Sequence, residues 1–558
     1  MPSKNAQENW GASLGVILAV AGSAVGLGNF LRFPGQVALH GGGAFMIPYV
    51  IALFVIAIPL AMSEWALGRY AGRMGFHSPL GALYVAGGRK IRWGFAGCLN
   101  TFSPFVIAMY YIVIEAWCLA YAAQYLGGLL QHVGLGFSLF SDVAPGLKFD
   151  STSGYEKFFG RLVGVGQDGS LFGVGTRAIL WTTLACAAMN FILIYKGVSK
   201  GIERFCKTVA PLILLCAVAV IIRVVTLGNP TGTPGQSFID GLGFMWNPTR
   251  EIVNASGEVV GRLTLAQSLL NPEVWLAATA QIFFSTSICF GAICTYASYV
   301  KSRGDVALSS VSAVATNEFC EVVLGGLMTV PPAIMFLGAD ASKSVGSSFA
   351  LGFNVLPNVF GLMPMGQLCG FVLFTLLFLA AITSSVSMVQ PAVALFQDSL
   401  HWGRKQSAVV VSSINLLGTA IVSWFTKDLM ALDVFDFWVA NLMPFLGGAL
   451  QTCVVVFVWG DASLLAELKR GARINPPQRL GGFLKYVSFP YLLLVFGFWA
   501  WKNMADRVEQ VATQFVPKLS VLFMLSVLAA ILLLGFVSMK RWTRLDSLEP
   551  NSHNQPQA

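Results

Sequence analysis

The chain has 558 residues, 56% of them hydrophobic and only 11% charged, with a mean hydropathy of +0.70. Soluble domains carry about a quarter charged residues, so the composition excludes a chain wetted over its whole surface. The net charge of +9 does not form one basic face, and no nucleic-acid partner is expected.

The polar start, Met1 to Trp10, lacks the order of a cleaved signal, so the first apolar segment is expected to be retained. Runs of about twenty apolar residues cross a bilayer as helix. Lipid requires backbone groups to be satisfied internally, and the alternation of barrel strands is absent. Twelve spans follow, near 13–38, 42–70, 94–127, 178–195, 207–228, 274–302, 307–338, 368–400, 406–425, 431–459, 483–503 and 515–540. The longer gaps at 128–177 and 229–273 fall outside the membrane, and 339–367, with Pro357 and Pro364, is expected to form short helices capping the outer face. The segment from Thr543 to Ala558 reads as a disordered polar tail.

Basic residues collect in alternate loops: Arg69, Arg73, Arg89, Lys90 and Arg92, then Lys196, Lys200, Arg204 and Lys207, then Lys301 and Arg303, then Arg404 and Lys405, and on to Lys540, Arg541 and Arg544. This positive-inside pattern places both termini in the cytoplasm. An all-α polytopic protein of the cell (inner) membrane follows, with the lipid bilayer as its surroundings. Ten cysteines, such as Cys118, Cys186, Cys216 and Cys453, lie mostly in apolar spans without metal-ligand spacing and read as small core residues.

Two spans are interrupted. The first contains Gly22-Ser23-Ala24-Val25-Gly26-Leu27-Gly28-Asn29, and the sixth Ser285-Thr286-Ser287-Ile288-Cys289-Phe290-Gly291. Each opens a group of five spans, and an odd number per group turns the two groups over relative to each other. Interrupted helices at matching positions of inverted repeats point to a transporter's midplane site. The alternative is that the small residues only permit close helix packing. The segments are then 1–12 (cytoplasmic tail), 13–228 (first repeat), 229–273 (external loop), 274–459 (second repeat), 483–540 (two further spans) and 541–558 (cytoplasmic tail).

The stretch from Ser23 to Pro34 (SAVGLGNFLRFP), Gly41 to Tyr49 (GGGAFMIPY) and Glu64 to Tyr70 (EWALGRY) resembles the neurotransmitter:sodium symporter family. So do Lys200 to Phe205 (KGIERF), Gln281 to Ser285 (QIFFS), Gly291 to Tyr299 (GAICTYASY) and Thr383 to Ser385. Within it the chain looks like the prokaryotic LeuT-like amino-acid transporters. That fold is a 5+5 inverted repeat with broken helices 1 and 6.

The resemblance implies one or two sodium ions, no organic cofactor and a small neutral amino acid as cargo. One ion is expected among Ala24, Asn29, Ser285, Asn317 and the substrate carboxylate. A second is expected among the carbonyls of Gly22, Val25 and Ala380 and the hydroxyls of Thr383 and Ser384. The amides of Leu27 and Gly28, at a half-helix end, suit that carboxylate, and Tyr111 is implied to donate to it. Carbonyls of Ala24, Phe284 and Ser285 would receive the ammonium, with Phe284 as lid. Leu27, Ile107, Ser287, Phe290 and Met388 would line the side-chain pocket, and Ser23 and Ser384 complete the substrate set. Gly26 stands where aminergic relatives carry aspartate, so the substrate must bring its own carboxylate.

Arg32 and Asp436 occupy implied outer-gate positions; Tyr299, Gln390 and Asp398 occupy inner ones. The arginine that should pair with Asp398 is Gln7 here, with Lys4 as the nearest replacement. Glu64 and Glu115 are expected to brace the unwound backbone. Glu321 stands where chloride-dependent relatives carry serine, so a fixed carboxylate replaces the anion and transport is expected to be chloride-independent. Ser23 and Cys289 depart from an asparagine and a glycine of the family pattern. A homodimer is compatible with the chain. A sensor that binds without transport is a second reading; an intramembrane enzyme lacks a zinc cluster or nucleophile elbow.

Overall fold

The structure, a computed structural model, describes residues 20, 22, 24–131, 152–172, 177–253, 259–338 and 348–548. Among them ten helices are long and apolar enough to cross a membrane. In chain order these are α2 (Gly43–Arg73), α3 (Ile91–Gln131), α4 (Arg177–Lys196), α5 (Gly201–Thr226), α7 (Val306–Leu337), α8 (Gly366–Leu400), α9 (Arg404–Trp424), α10 (Lys427–Trp459), α11 (Leu480–Thr513) and α12 (Phe515–Leu548). The sixth segment falls short of that length because it is broken, and the first begins outside the described residues; adding them is consistent with twelve spans. The outer half of α1 is the π-turn Gly28–Arg32 followed by helix Phe33–Leu39. The two halves of α6 are Pro272–Thr286 and Ala292–Ser298.

Outside the spans, the segment after α5 holds a helix, Phe238–Trp246, and a two-stranded antiparallel hairpin, Arg250–Val253 with Val259–Leu263. The hairpin is a small exception to the all-α expectation. Residues 348–362 form the short helices expected over the outer face. The expected tail is helical up to Leu548; residues 549–558 lie outside the described region.

Helices α3 and α8 make the most extensive helix–helix contact, and the inner half of α6 lies along α2. Gly68 and Gly72 sit one turn apart on α2, where a Cβ would collide with the Cys294 and Ser298 carbonyls. Small residues at that spacing let the backbones touch, so α2 holds the inner half of α6 in place. Gly72→Ala is expected to lower the yield of folded protein severalfold, read as the monodisperse peak after solubilisation.

Candidate functional site

The two interruptions differ in how the backbone is satisfied. In α1 the helix gives way to a bend at Val25 and Gly26. Freed amides find side chains instead of carbonyls: Gly26 N donates to Asn29 Oδ1 at 2.8 Å and Leu27 N to Tyr111 Oη at 3.1 Å. In α6 the chain turns at Ser287, Cys289 and Gly291, with φ of 55°, 62° and 71°. Two of these are not glycine, and a left-handed conformation costs such residues about 1 kcal/mol or more each. Glu64 on α2 stabilises the turn, its Oε2 accepting from Cys289 N at 2.8 Å. Glu115 does not share that role: it binds Asn190 and Ser385, far along the chain from either break.

The two breaks face each other. A Cβ on Gly28 would lie 3.0 Å from the Phe284 ring and 3.6 Å from Ser285 Cα. Asn29 Nδ2 donates to Asn317 Oδ1 at 2.8 Å and lies 3.2 Å from Glu321 Oε2. Gln281 Nε2 donates to Glu321 Oε1 at 2.8 Å and to the Gly28 carbonyl at 3.2 Å. Ser285 Oγ lies 3.5 Å from Asn317 Nδ2. Asn29, Ser285, Asn317 and Glu321 are thus gathered from α1, α6 and α7 into one buried polar cluster. The π-turn Phe319–Gly325 in α7 carries Glu321, as π-turns at functional sites often do.

On α8, Thr383 Oγ1 and Ser384 Oγ both donate to the Ala380 carbonyl, at 2.9 and 3.1 Å. The expected ligands from this helix therefore converge on one point. Ser384 also reaches Tyr111, whose hydroxyl lies between it and the Leu27 amide. Gly26 fills the same space: a Cβ there would lie 2.5 Å from Ser384 Oγ and 3.0 Å from Tyr111 Oη. Gly22 faces Cys206 of α5. Ala24 and Val25 are buried, as are Leu27, Ile107 and Phe290, which share one apolar cluster with the partly buried Phe284 and Met388. Ser23 lies outside the described residues.

At the implied outer gate, Arg32 and Asp436 form no direct ion pair among the described residues. Arg32 Nη2 donates to Asn441 Oδ1 at 3.3 Å, and Asn441 Nδ2 donates to Asp436 Oδ2 at 3.0 Å. The Asn441 side-chain amide bridges the two implied gate residues. The guanidinium also lies 4.6 Å from the Phe284 ring centroid, a cation–π contact over the lid. Tyr110 Oη donates to Asp436 Oδ1 at 2.8 Å.

The expected inner-gate residues take separate partners. Asp398 Oδ2 accepts from the His77 and Ser78 amides at 3.0 and 2.8 Å and from Ser78 Oγ at 2.7 Å. A carboxylate at the start of the helix Pro79–Ala86 is stabilised by these donors and the helix dipole. Tyr299 stacks on His77, with ring centroids 4.4 Å apart and 4° between planes. Gln390 Oε1 accepts from Arg404 Nη2 at 2.7 Å. Lys4 and Gln7 lie outside the described residues.

Sequence reasoning missed Tyr49, Glu318 and Asn441. Tyr49 Oη donates to Glu318 Oε2 at 2.6 Å, beside Asn317. A second acid next to Asn317 within a span was a visible signal, since ionisable residues at membrane depth are costly.

Comparisons with known proteins accord with this geometry. Residues 7–545 match the sodium:neurotransmitter symporter family. An uncharacterised sodium-dependent transporter of Methanocaldococcus jannaschii is 28% identical over 487 residues, covering 86% of this chain and 87% of the relative. The human sodium- and chloride-dependent GABA transporter 2 is 27% identical, covering 81% of this chain and 73% of the relative. The crystal structure of MhsT in complex with L-phenylalanine superposes with a TM-score of 0.70 at 28% identity, covering 88% of this chain and 99% of that one.

Proposed function

Because the chain belongs to the sodium:neurotransmitter symporter family, we propose that it imports a small neutral, apolar L-amino acid by alternating access, driven by sodium. The observation that carries the choice of substrate is the crowding at Gly26, where Ser384 and Tyr111 leave no room for even a methyl group. No protein carboxylate can stand there to pair with an amine, so the cargo supplies its own. The related MhsT is seen in complex with L-phenylalanine, a neutral amino acid of this class.

The substrate carboxylate would complete the coordination of a sodium ion held by Ala24, Asn29, Ser285 and Asn317. Hard cations favour such oxygen sets. Sharing that group couples the two solutes directly, and linkage makes the benefit mutual. A second ion fits Gly22, Val25, Ala380, Thr383 and Ser384. The apolar lining from Leu27, Ile107, Phe290 and Met388 favours medium aliphatic side chains over tryptophan. The protein would act in the inner membrane with both termini cytoplasmic.

A competition panel of the twenty amino acids against labelled leucine, in proteoliposomes with and without a sodium gradient, tests this reading. Sodium-dependent competition by neutral apolar amino acids is expected; sodium-independent uptake, or preference for amines, would overturn it. Glu321, next to the side-chain amides of Asn29, Gln281 and Asn317, serves in place of chloride. Glu321→Ser is expected to make uptake chloride-dependent, and uptake by the parent protein that already needs chloride would refute the substitution of one anion for the other.

A further inference from the structure

Glu115 lies on α3, one helical turn beyond Tyr111, and is fully buried. Asn190 Nδ2 on α4 donates to Glu115 Oε2 at 2.9 Å and to the Cys186 carbonyl at 3.0 Å, which uses both amide hydrogens. Ser385 Oγ on α8 has Asn190 Oδ1 as its nearest acceptor, at 2.8 Å against 3.2 Å for the Ile382 carbonyl, so its single hydroxyl hydrogen goes to Asn190. Ser385 Oγ then faces Glu115 Oε1 at 3.4 Å with a lone pair to fill. A protonated carboxyl supplies that hydrogen and closes the circuit. No cation pairs with Glu115 among the described residues, and an isolated carboxylate at this depth is costly.

We propose that Glu115, Asn190 and Ser385 form a closed, neutral hydrogen-bonded ring joining α3, α4 and α8, which sets the second sodium position and makes Glu115 a positioning residue for that ion. The proposal rests on the assignment of Thr383 and Ser384 as ligands. Two residues of helix turn the side-chain direction by about 200°. With Ser385 anchored to α3 and α4, Thr383 therefore looks the opposite way. Ser384 is held from the same α3 face by Tyr111. The rotation of α8, and with it the aim of both ligand hydroxyls, is fixed from behind by the ring.

The test reads sodium half-saturation at saturating leucine, and leucine half-saturation at saturating sodium, in proteoliposomes. Glu115→Gln can preserve the circuit, its amide donating to Ser385 and its oxygen accepting from Asn190, and is expected to match the parent. Glu115→Leu and Ser385→Ala open the circuit. Each is expected to raise sodium half-saturation about tenfold, the usual scale for residues that orient metal ligands, with leucine half-saturation unchanged. Ser385→Ala removes one atom only and reads the proposal even where Glu115→Leu does not fold. Unchanged sodium dependence in the opened variants would overturn the ring, as would equal damage from Glu115→Gln or a matching shift for leucine. Thr383→Ala with Ser384→Ala should abolish sodium stimulation; if stimulation survives, the second ion site itself is misassigned, a failure distinct from that of the ring.

Discussion

Gly26→Asp is expected to abolish sodium-driven amino-acid uptake while leaving the protein in the membrane. The first added atom, Cβ, would stand 2.5 Å from Ser384 Oγ and 3.3 Å from Ser384 Cβ. It cannot be accommodated without moving α8 or the broken segment of α1. Overpacking of this kind costs about 1–3 kcal/mol, and the displaced groups are those assigned to ion and substrate. The carboxylate adds a second negative charge where the substrate carboxylate is assigned, so the two repel. Gly26→Ala separates the two effects, because it carries the clash without the charge. It is expected to weaken binding of labelled leucine by roughly tenfold or more, about 1.4 kcal/mol. Leucine binding by Gly26→Ala equal to the parent's would show that the site is looser than these distances say, and the substrate argument would fall with it.

How much of this was readable in advance depends on the range of the interaction. Hydropathy is a local sum, so the apolar spans could be located, with ends off by several residues. Helix α11 runs to Thr513 and α12 to Leu548, beyond the runs at 483–503 and 515–540, because hydropathy registers the lipid core and not the helix that continues past it. The breaks were visible because Gly22, Gly26 and Gly28 crowd the first and hydroxyls the sixth. Their partners were not. Glu64 was expected at a break and is there, whereas Glu115, which looks the same in sequence, faces α4 and α8. Side-chain direction on a buried helix is decided by neighbours hundreds of residues away. The outer gate shows the same limit: nothing local to Arg32 or Asp436 announces that Asn441 stands between them.

Arg69 gives the clearest case, and Glu467→Gln is expected to be among the most destabilising single changes in the chain. In sequence Arg69 belongs to a run of basic residues at the end of a span. In the structure its side chain is 0% exposed, and Nε donates to Glu467 Oε1 at 2.8 Å. The guanidinium also meets the Gly304, Glu467 and Arg470 carbonyls. Arg73 adds a second contact to the same acid, Nη2 to Oε2 at 2.6 Å. One carboxylate on the short helix Asp461–Lys469 therefore answers two cations on α2. Removing its charge strands Arg69 away from water, and breaking a buried pair from one side costs about 3–5 kcal/mol. Arg73, 10% exposed, has a longer reach to the interface and contributes less. The loss should appear as a fall in the temperature at which half the leucine-binding capacity survives heating. Replacing both members, Arg69→Met with Glu467→Leu, removes the stranded charge and is expected to recover most of the loss, since buried pairs exchanged for apolar side chains are often neutral. If Glu467→Gln survives heating as well as the parent, water reaches Arg69 and the anchor between α2 and this helix is not electrostatic. If the double replacement is no better than the single one, the carbonyl contacts of the guanidinium hold the joint, and its charge is incidental.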